Sequence, residues 1–161
     1  MPTSQPYLLA PGATRAGAPL TIFGNEIAVK VGSEDSAGAF AVVEVHTPPG
    51  GGPPLHRHSR EDETFYILEG EYTFAVDGRR IVAGPGACVF APLGSVHTFT
   101  NSGSGVARML TMVQPAGLDR YFADLAEAVR GMARPDPATM IAVAARHGLE
   151  ILGPPLAAAA A

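Results

Sequence analysis

Three histidines and one glutamate, in two separate segments of the chain, could together bind a transition metal. His56, His58 and Glu63 lie close together in the first segment, and His97 lies in the second. Three imidazoles and a carboxylate suit a divalent transition metal. Neither segment could hold an ion tightly alone, so the pattern predicts a fold that brings two distant strands face to face.

The spacing of the first two histidines favours a β-strand. Successive side chains of a strand point to opposite faces, so His56 and His58 share a face, with backbones roughly 6–7 Å apart. A helix would separate them, and Pro53 and Pro54 disfavour a helix at this point. The strand therefore presents two imidazoles to the same ion.

The glutamate belongs to a stretch that alternates like a strand. Residues 63–76 fit a β-hairpin with its turn at Glu69-Gly70, and Phe65 shares the parity of Glu63. Glu63 can therefore face the same interior as the histidines. Asp77-Gly78 predicts a further hairpin, because this pair suits a two-residue turn.

Both segments resemble the characteristic motifs of the cupin superfamily. Gly50, His56, His58, Glu63 and Gly70 fill the first motif, and Gly86, Pro92, Gly94, His97 and Asn101 fill the second. The match is specific because the chain has only five histidines and three of them fall on required positions. The resemblance implies a single-domain cupin metalloprotein: an all-β jelly-roll barrel, or double-stranded β-helix, with the four ligands inside.

The expected cofactor is one divalent transition metal, which could be iron, nickel, manganese, cobalt, copper or zinc. The alternative is a metal-free barrel in which the three histidines and Glu63 form a hydrogen-bonded cluster. A buried carboxylate without a partner is costly, and neutral imidazoles offset that cost less well than a divalent ion does. We therefore favour the metal.

Composition divides the chain into four segments. Residues 1–20 are rich in proline, glycine and alanine and are expected to form an N-terminal arm. Residues 21–114 contain short apolar runs separated by turn signals, as in an antiparallel barrel. Residues 115–153 are predicted to form a helical segment packed on the barrel or on a partner, and residues 154–161 a disordered tail.

Two helices are expected in the C-terminal segment. The apolar face of the first consists of residues at helical spacing, namely Leu118, Tyr121, Phe122, Leu125 and Val129. The second should begin at Asp136-Pro137, because aspartate caps a helix and proline suits its first position, and end at Gly148.

Charge and cysteine content limit the partners and the compartment. A formal net charge of -4 and a single lysine argue against nucleic acid as a partner. Cys88 is the only cysteine, so no intrachain disulfide can form, and we expect it to be buried in the core. No apolar run has the length of a membrane span and no secretory segment is evident, which favours a cytoplasmic protein. The arm and the apolar helix face favour a homodimer.

Five apolar side chains are candidates for the wall of a substrate pocket above the metal. These residues are Phe65, Phe90, Phe99, Leu110 and Met112. They could equally be ordinary core, because every barrel interior needs apolar side chains. His46 and His147 are expected to bind no metal.

Among cupins, the layout and residues 117–122 resemble quercetin 2,3-dioxygenase-like proteins. This likeness implies a metal-dependent dioxygenase, an oxidoreductase that takes dioxygen and a small aromatic or enol substrate. Glu63 would then hold the metal and accept the proton of a substrate hydroxyl. The alternatives are a non-oxidative cupin isomerase, cyclase or lyase, and a metal-containing small-molecule binding protein without turnover.

Overall fold

Two antiparallel β-sheets form the body of the protein, seen in a computed structural model that describes residues 5–15, 17–134 and 136–157. The strands are β1 (Leu20–Ile22), β2 (Asn25–Val31), β3 (Ala41–Thr47), β4 (Pro54–His58), β5 (Asp62–Glu69), β6 (Tyr72–Val76), β7 (Arg79–Ala83), β8 (Cys88–Ala91), β9 (His97–Asn101), β10 (Ala107–Gln114) and β11 (Leu149–Pro155). Helices α1 (Leu118–Ala128) and α2 (Pro137–Arg146) lie between β10 and β11.

The two sheets have the strand orders β1-β2-β3-β10-β5-β8 and β11-β4-β9-β6-β7 within the described residues. Their facing sides bury an apolar core, in which Phe65, Ile67, Tyr72, Phe74 and Met109 are almost completely inaccessible to solvent. The ring of Phe65 lies 5.1 Å from that of Phe74, within the range in which aromatic pairs attract. The predicted jelly-roll barrel with C-terminal helices is confirmed.

The two predicted hairpins have different outcomes. Asp77-Gly78 joins β6 to β7, and both residues have positive φ angles, 46° and 76°, as a tight turn between strands requires. The hairpin predicted at Glu69-Gly70 is wrong, because β5 pairs with β8 and β10 whereas β6 pairs with β7 and β9. The chain instead crosses between sheets at Gly70, where an added Cβ would lie 2.6 Å from Cβ of Ala107.

The second C-terminal helix, α2, begins and ends where the sequence predicts. Asp136 caps α2, accepting a hydrogen bond of 3.0 Å from the backbone N–H of Thr139, and Pro137 occupies the first turn. The chain leaves this helix at Gly148, whose φ of 79° favours glycine.

Strand β11 was not expected from the sequence. It pairs antiparallel with β4, so that Leu149 lies opposite His58 and Ile151 opposite His56. Pro154 and Pro155 end this edge strand, where proline costs no sheet hydrogen bond, although the sequence predicted a tail from residue 154 onward. Residues 158–161 of that tail lie outside the described residues.

The N-terminal arm packs on its own chain as far as it is described. The backbone N–H of Arg15 donates to the Val29 carbonyl at 2.7 Å, and the Tyr7 hydroxyl donates to the Lys30 carbonyl at 2.8 Å. Residues 1–4 and 16 of the arm lie outside the described residues. The homodimer stays a prediction.

Neither α1 nor α2, the helices of the described residues, is long and apolar enough to span a membrane. Cys88 is exposed on β8, which corrects the prediction of a buried core thiol. The reason is the phase of this strand, because Val89 and Ala91 take the inward positions.

Candidate metal centre

Three strands from both sheets position the four candidate ligands. His56 and His58 on β4 point inward while Arg57 between them is exposed, as the alternation predicts. Glu63 faces inward from β5, and His97 at the start of β9 is the register partner of His56. All four side chains are buried.

The four side chains converge on one point. Each offers a ligand atom that lies within 4.8 Å of the other three. His97 Nε2 and His58 Nε2 lie 2.9 Å and 3.1 Å from the same oxygen, Oε2 of Glu63. Two ligand segments that are far apart in sequence therefore form one cluster.

Backbone carbonyls fix the orientation of two of the imidazoles. His56 Nδ1 lies 2.8 Å from the Pro54 carbonyl oxygen, and His97 Nδ1 lies 3.1 Å from the Ser95 carbonyl oxygen. A carbonyl can only accept, so both Nδ1 atoms carry a proton, and Nε2 is the nitrogen of each ring that is left to bind a metal. This tautomer is the one that metal-binding histidines need.

A carboxylate that the sequence analysis did not single out orients the third imidazole. Glu61 Oε2 lies 3.1 Å from His58 Nδ1, and both side chains are buried. Carboxylates commonly hold metal-ligating histidines in this way. The available signal was a glutamate three residues after His58 in the connection to β5, which has no place in the cupin motif.

The polar atoms of the cluster fit a cation. His97 Nε2 and Glu63 Oε2 lie 2.9 Å apart, close enough for both to bind one ion. His58 Nε2 is a buried nitrogen without a hydrogen bond to any described residue, although it lies 3.1 Å from Glu63 Oε2. A divalent ion would bind all of these atoms at once.

The protonation states agree with a ligand cluster. Burial lowers the pKa of His56 to about 4, which keeps this imidazole neutral. Burial also acts to lower the pKa of His58, but the charge of Glu63 and the contact with Glu61 outweigh it and raise that pKa to about 10. Burial acts to raise the pKa of Glu63, but His58 and His97 hold it well below its usual range. A bound cation would replace the extra proton.

An apolar cavity of about 650 Å³ adjoins the cluster, and His56, His58 and Glu63 form part of its wall. The rest of the wall is largely apolar and comes from both the barrel and the C-terminal segment, including Val45, Phe65, Phe99, Leu118, Phe122, Leu125, Met140 and Ile151. Among the described residues, no arginine or lysine lines it. A second depression of about 670 Å³, next to the end of α1, shares only Phe23 with this cavity and contains none of the four ligands.

The structure places the five predicted pocket residues on two different faces. Phe65 and Phe99 line the cavity. Phe90, Leu110 and Met112 do not, because they lie on the outer face of the six-stranded sheet, where Phe90 is 57% and Met112 40% exposed. This corrects three of the five assignments. Both faces of β8 and β10 carry apolar side chains, so alternation alone could not tell which face is inside.

The remaining two histidines lie outside the cluster. His46 is bonded to Glu44, with 2.8 Å between Nε2 and Oε1, on the outer face of its strand. His147 contacts Asp124 at 2.9 Å, beyond the end of α2.

Comparison with known proteins agrees with this geometry. Residues 43–113, which include both motifs and all four ligands, match the family described as a cupin domain. These residues form a cupin domain. Around this domain, the chain carries β1, β2 and the C-terminal segment, and residues of all three line the cavity.

Two curated relatives are similar to part of this chain. Quercetin 2,3-dioxygenase of Bacillus subtilis is 31% identical over 98 residues, which cover 61% of this chain and 29% of the relative. An oxalate-binding protein of Thermotoga maritima is 33% identical over 66 residues, which cover 41% of this chain and 54% of the relative. The chain thus spans less than two thirds of either relative.

A solved structure of a predicted oxalate decarboxylase of Thermotoga maritima has the same barrel. Its TM-score is 0.55 at 27% identity, and the overlap covers 56% of this chain and 80% of that one. The shared part is the barrel, so the activity of this chain has to be inferred from its own cavity.

Proposed function

We propose that this cupin is a metal-dependent dioxygenase that acts on a small aromatic or enol substrate. The observation that carries the proposal is the combination of three histidines and one glutamate with a large apolar cavity that no described arginine or lysine lines. The cluster of histidines and glutamate supplies a site for a redox-active ion. The apolar cavity restricts which substrates can reach that ion.

The cavity favours a neutral, mostly apolar substrate. Its volume of about 650 Å³ lies within the range of pockets that enclose drug-sized ligands. A small dianion such as oxalate would lose its hydration without gaining an arginine or lysine partner from the described wall. The cavity therefore supports the likeness to the Bacillus subtilis dioxygenase over the likeness to the oxalate-binding protein.

His56, His58, Glu63 and His97 would hold the metal, with their Nε2 and carboxylate oxygen atoms as ligands. When bound, a redox-active ion supplies open coordination positions and electron transfer, which the side chains lack. Glu63 is the only carboxylate among the described residues that line the cavity, so we expect it to accept the substrate hydroxyl proton. The apolar wall keeps bulk water from the reacting centre.

Oxygen uptake tests this proposal. Protein loaded separately with iron, nickel, manganese, cobalt, copper and zinc is mixed with flavonols, catechols and diketones in an oxygen electrode. We expect substrate-dependent oxygen consumption with at least one redox-active metal and none with zinc. Glu63→Gln should lower the rate by about 100-fold or more, the usual range for a lost general base. Glu69→Gln, on the same strand with a side chain that is 61% exposed, is the matched control.

Other outcomes assign the protein to a different class. Loss of a substrate under anaerobic conditions would indicate an isomerase, cyclase or lyase and contradict the proposal. A ligand that raises the melting temperature of every metal form and is never converted would indicate a binding protein.

A further inference from the structure

Helix α1 brings a tyrosine hydroxyl into the cavity. Tyr121 lines the same cavity as His56, His58 and Glu63, and its side chain is only 7% exposed. Its hydroxyl makes no hydrogen bond with any described residue. Burial and then the charge of Glu63 raise the pKa of Tyr121 to about 12, so the hydroxyl stays a donor.

A second hydroxyl on the cavity wall also lacks a partner. Thr111 points inward from β10, opposite Phe65 and Val43 in the sheet register. Its Oγ1 is buried and makes no hydrogen bond with any described residue. A buried hydroxyl without a partner costs about 1–3 kcal/mol. The wall of the cavity thus carries two hydroxyls that have no partner among the described residues.

Another buried tyrosine shows what a purely structural hydroxyl looks like in this protein. The hydroxyl of Tyr72, a fully buried residue, donates to Oγ1 of Thr47 at 3.0 Å within the barrel core. It does not line the cavity. The hydroxyl of Tyr72 thus has a hydrogen-bond partner within the barrel, whereas the hydroxyl of Tyr121 has none among the described residues.

We propose that the hydroxyls of Tyr121 and Thr111 form a polar anchor that binds oxygen atoms of the substrate. The inference rests on the proposed function for the class of molecule. It adds that the substrate is an aromatic compound with several oxygen substituents: one reaches the metal ligands and the others accept or share hydrogen bonds with this anchor. Tyr121 is then a substrate-binding residue supplied by α1, outside residues 43–113.

The apolar wall determines the rest of this substrate. Phe65 and Phe99 contribute rings from the barrel, and Phe122 contributes one from α1, next to Tyr121 at 5.4 Å between ring centroids. Aromatic walls favour a flat aromatic ligand over a sugar or an aliphatic acid. A molecule without oxygen substituents would leave both hydroxyls unpaired.

Binding without turnover tests the anchor. Quercetin and catechol are titrated under anaerobic conditions into the zinc-loaded protein, and dissociation constants are measured by calorimetry. Tyr121→Phe keeps the ring and removes the hydroxyl, and Thr111→Val keeps the shape. We expect each variant to bind the tighter of the two probes about 3- to 15-fold more weakly, the effect of one lost hydrogen bond. Tyr72→Phe is the control and should bind as the parent does.

The outcomes separate this inference from the proposed function. Equal affinity in Tyr121→Phe and the parent overturns the anchor, even if the parent consumes oxygen. If the parent binds quercetin and both variants bind it more weakly, the anchor is supported. If the parent also never consumes oxygen with any metal, the dioxygenase is contradicted while the anchor stands. Failure of the parent to bind either probe contradicts the substrate class. Cobalt affinity and melting temperature are measured on each variant, and we expect the cobalt affinity of all three to match the parent.

Discussion

Oε2 of Glu61 lies 3.1 Å from Nδ1 of His58, so a buried carboxylate stands directly behind a candidate metal ligand. The other carboxylate oxygen, Oε1, lies near Gly117, where an added Cβ would be 2.9 Å away. Gly117 precedes α1, and the start of a helix favours a negative charge. Glu61 therefore lies between His58 on β4 and the start of the C-terminal segment.

Replacing this carboxylate should weaken metal binding. Glu61→Gln keeps the size of the side chain but removes the charge that orients His58 and increases its basicity. We expect the affinity for cobalt or zinc to fall about 10- to 100-fold, measured by competition with a chromogenic chelator. Glu69→Gln removes an exposed carboxylate from β5 and should leave the affinity unchanged. Equal affinities for Glu61→Gln and the parent would show that Glu61 does not support the metal site.

A glycine before β4 should control how closely the two ligand strands approach. An added Cβ at Gly52 would lie 2.0 Å from the carbonyl oxygen of Phe99 on β9, which is too close for any side chain. Gly52→Ala should push β4 away from β9, lower the free energy of unfolding by about 2 kcal/mol or more, and weaken metal binding.

Urea denaturation with and without zinc measures both effects of this substitution. Gly84→Ala is the control, because no atom lies within 4 Å of an added Cβ there. If Gly52→Ala has the same free energy of unfolding as Gly84→Ala, the prediction is contradicted, because β4 and β9 would then tolerate the added methyl group without loss of stability.

Charged groups on the outer face of the barrel should make stability depend on pH. Glu44 accepts hydrogen bonds from Arg108 at 2.8 Å and contacts Lys30 at 3.0 Å and His46 at 2.8 Å. Burial acts to raise the pKa of Glu44, but these three groups outweigh it and lower the pKa from 4.5 to about 2. Because the folded-state value is the lower one, ionised Glu44 stabilises the fold above about pH 4.5.

This contribution should disappear as the pH falls from 4.5 towards 2. We expect roughly 1–2 kcal/mol, reduced by solvent around the half-exposed Arg108. Urea midpoints between pH 3 and 7 measure the effect, and Glu44→Gln should lose stability near pH 7 and vary less with pH. Glu150→Gln, which removes an exposed ion pair with Arg57, is the control. Parallel pH profiles for the parent and Glu44→Gln would contradict this assignment.

The sequence predicts the ligand cluster well because its evidence is local and chemical. Histidine is rare in this chain, and the alternation of His56, Arg57 and His58 along a strand predicts the face to which each side chain points. The caps of α2 are equally local, because Asp136 and Gly148 act on their immediate neighbours.

Features that depend on distant parts of the chain could not be predicted. The outward orientation of Phe90 and Met112 depends on which face of an apolar strand meets the other sheet. The crossing at Gly70 depends on the pairing of β5 with β10, two strands that are far apart in sequence. Strand β11, with its glycine and two prolines, has little strand propensity and forms because β4 offers an open edge.

The metal content of the purified protein tests the central claim most directly. The full chain is purified without a chelator and without a nickel affinity column, and its metals are quantified beside those of His97→Ala. We predict close to one divalent ion per chain in the parent and a large loss, with a lower melting temperature, in His97→Ala. A parent protein that folds, stays empty and takes up no added cobalt, or a His97→Ala variant that retains its full metal content, would contradict the metal centre.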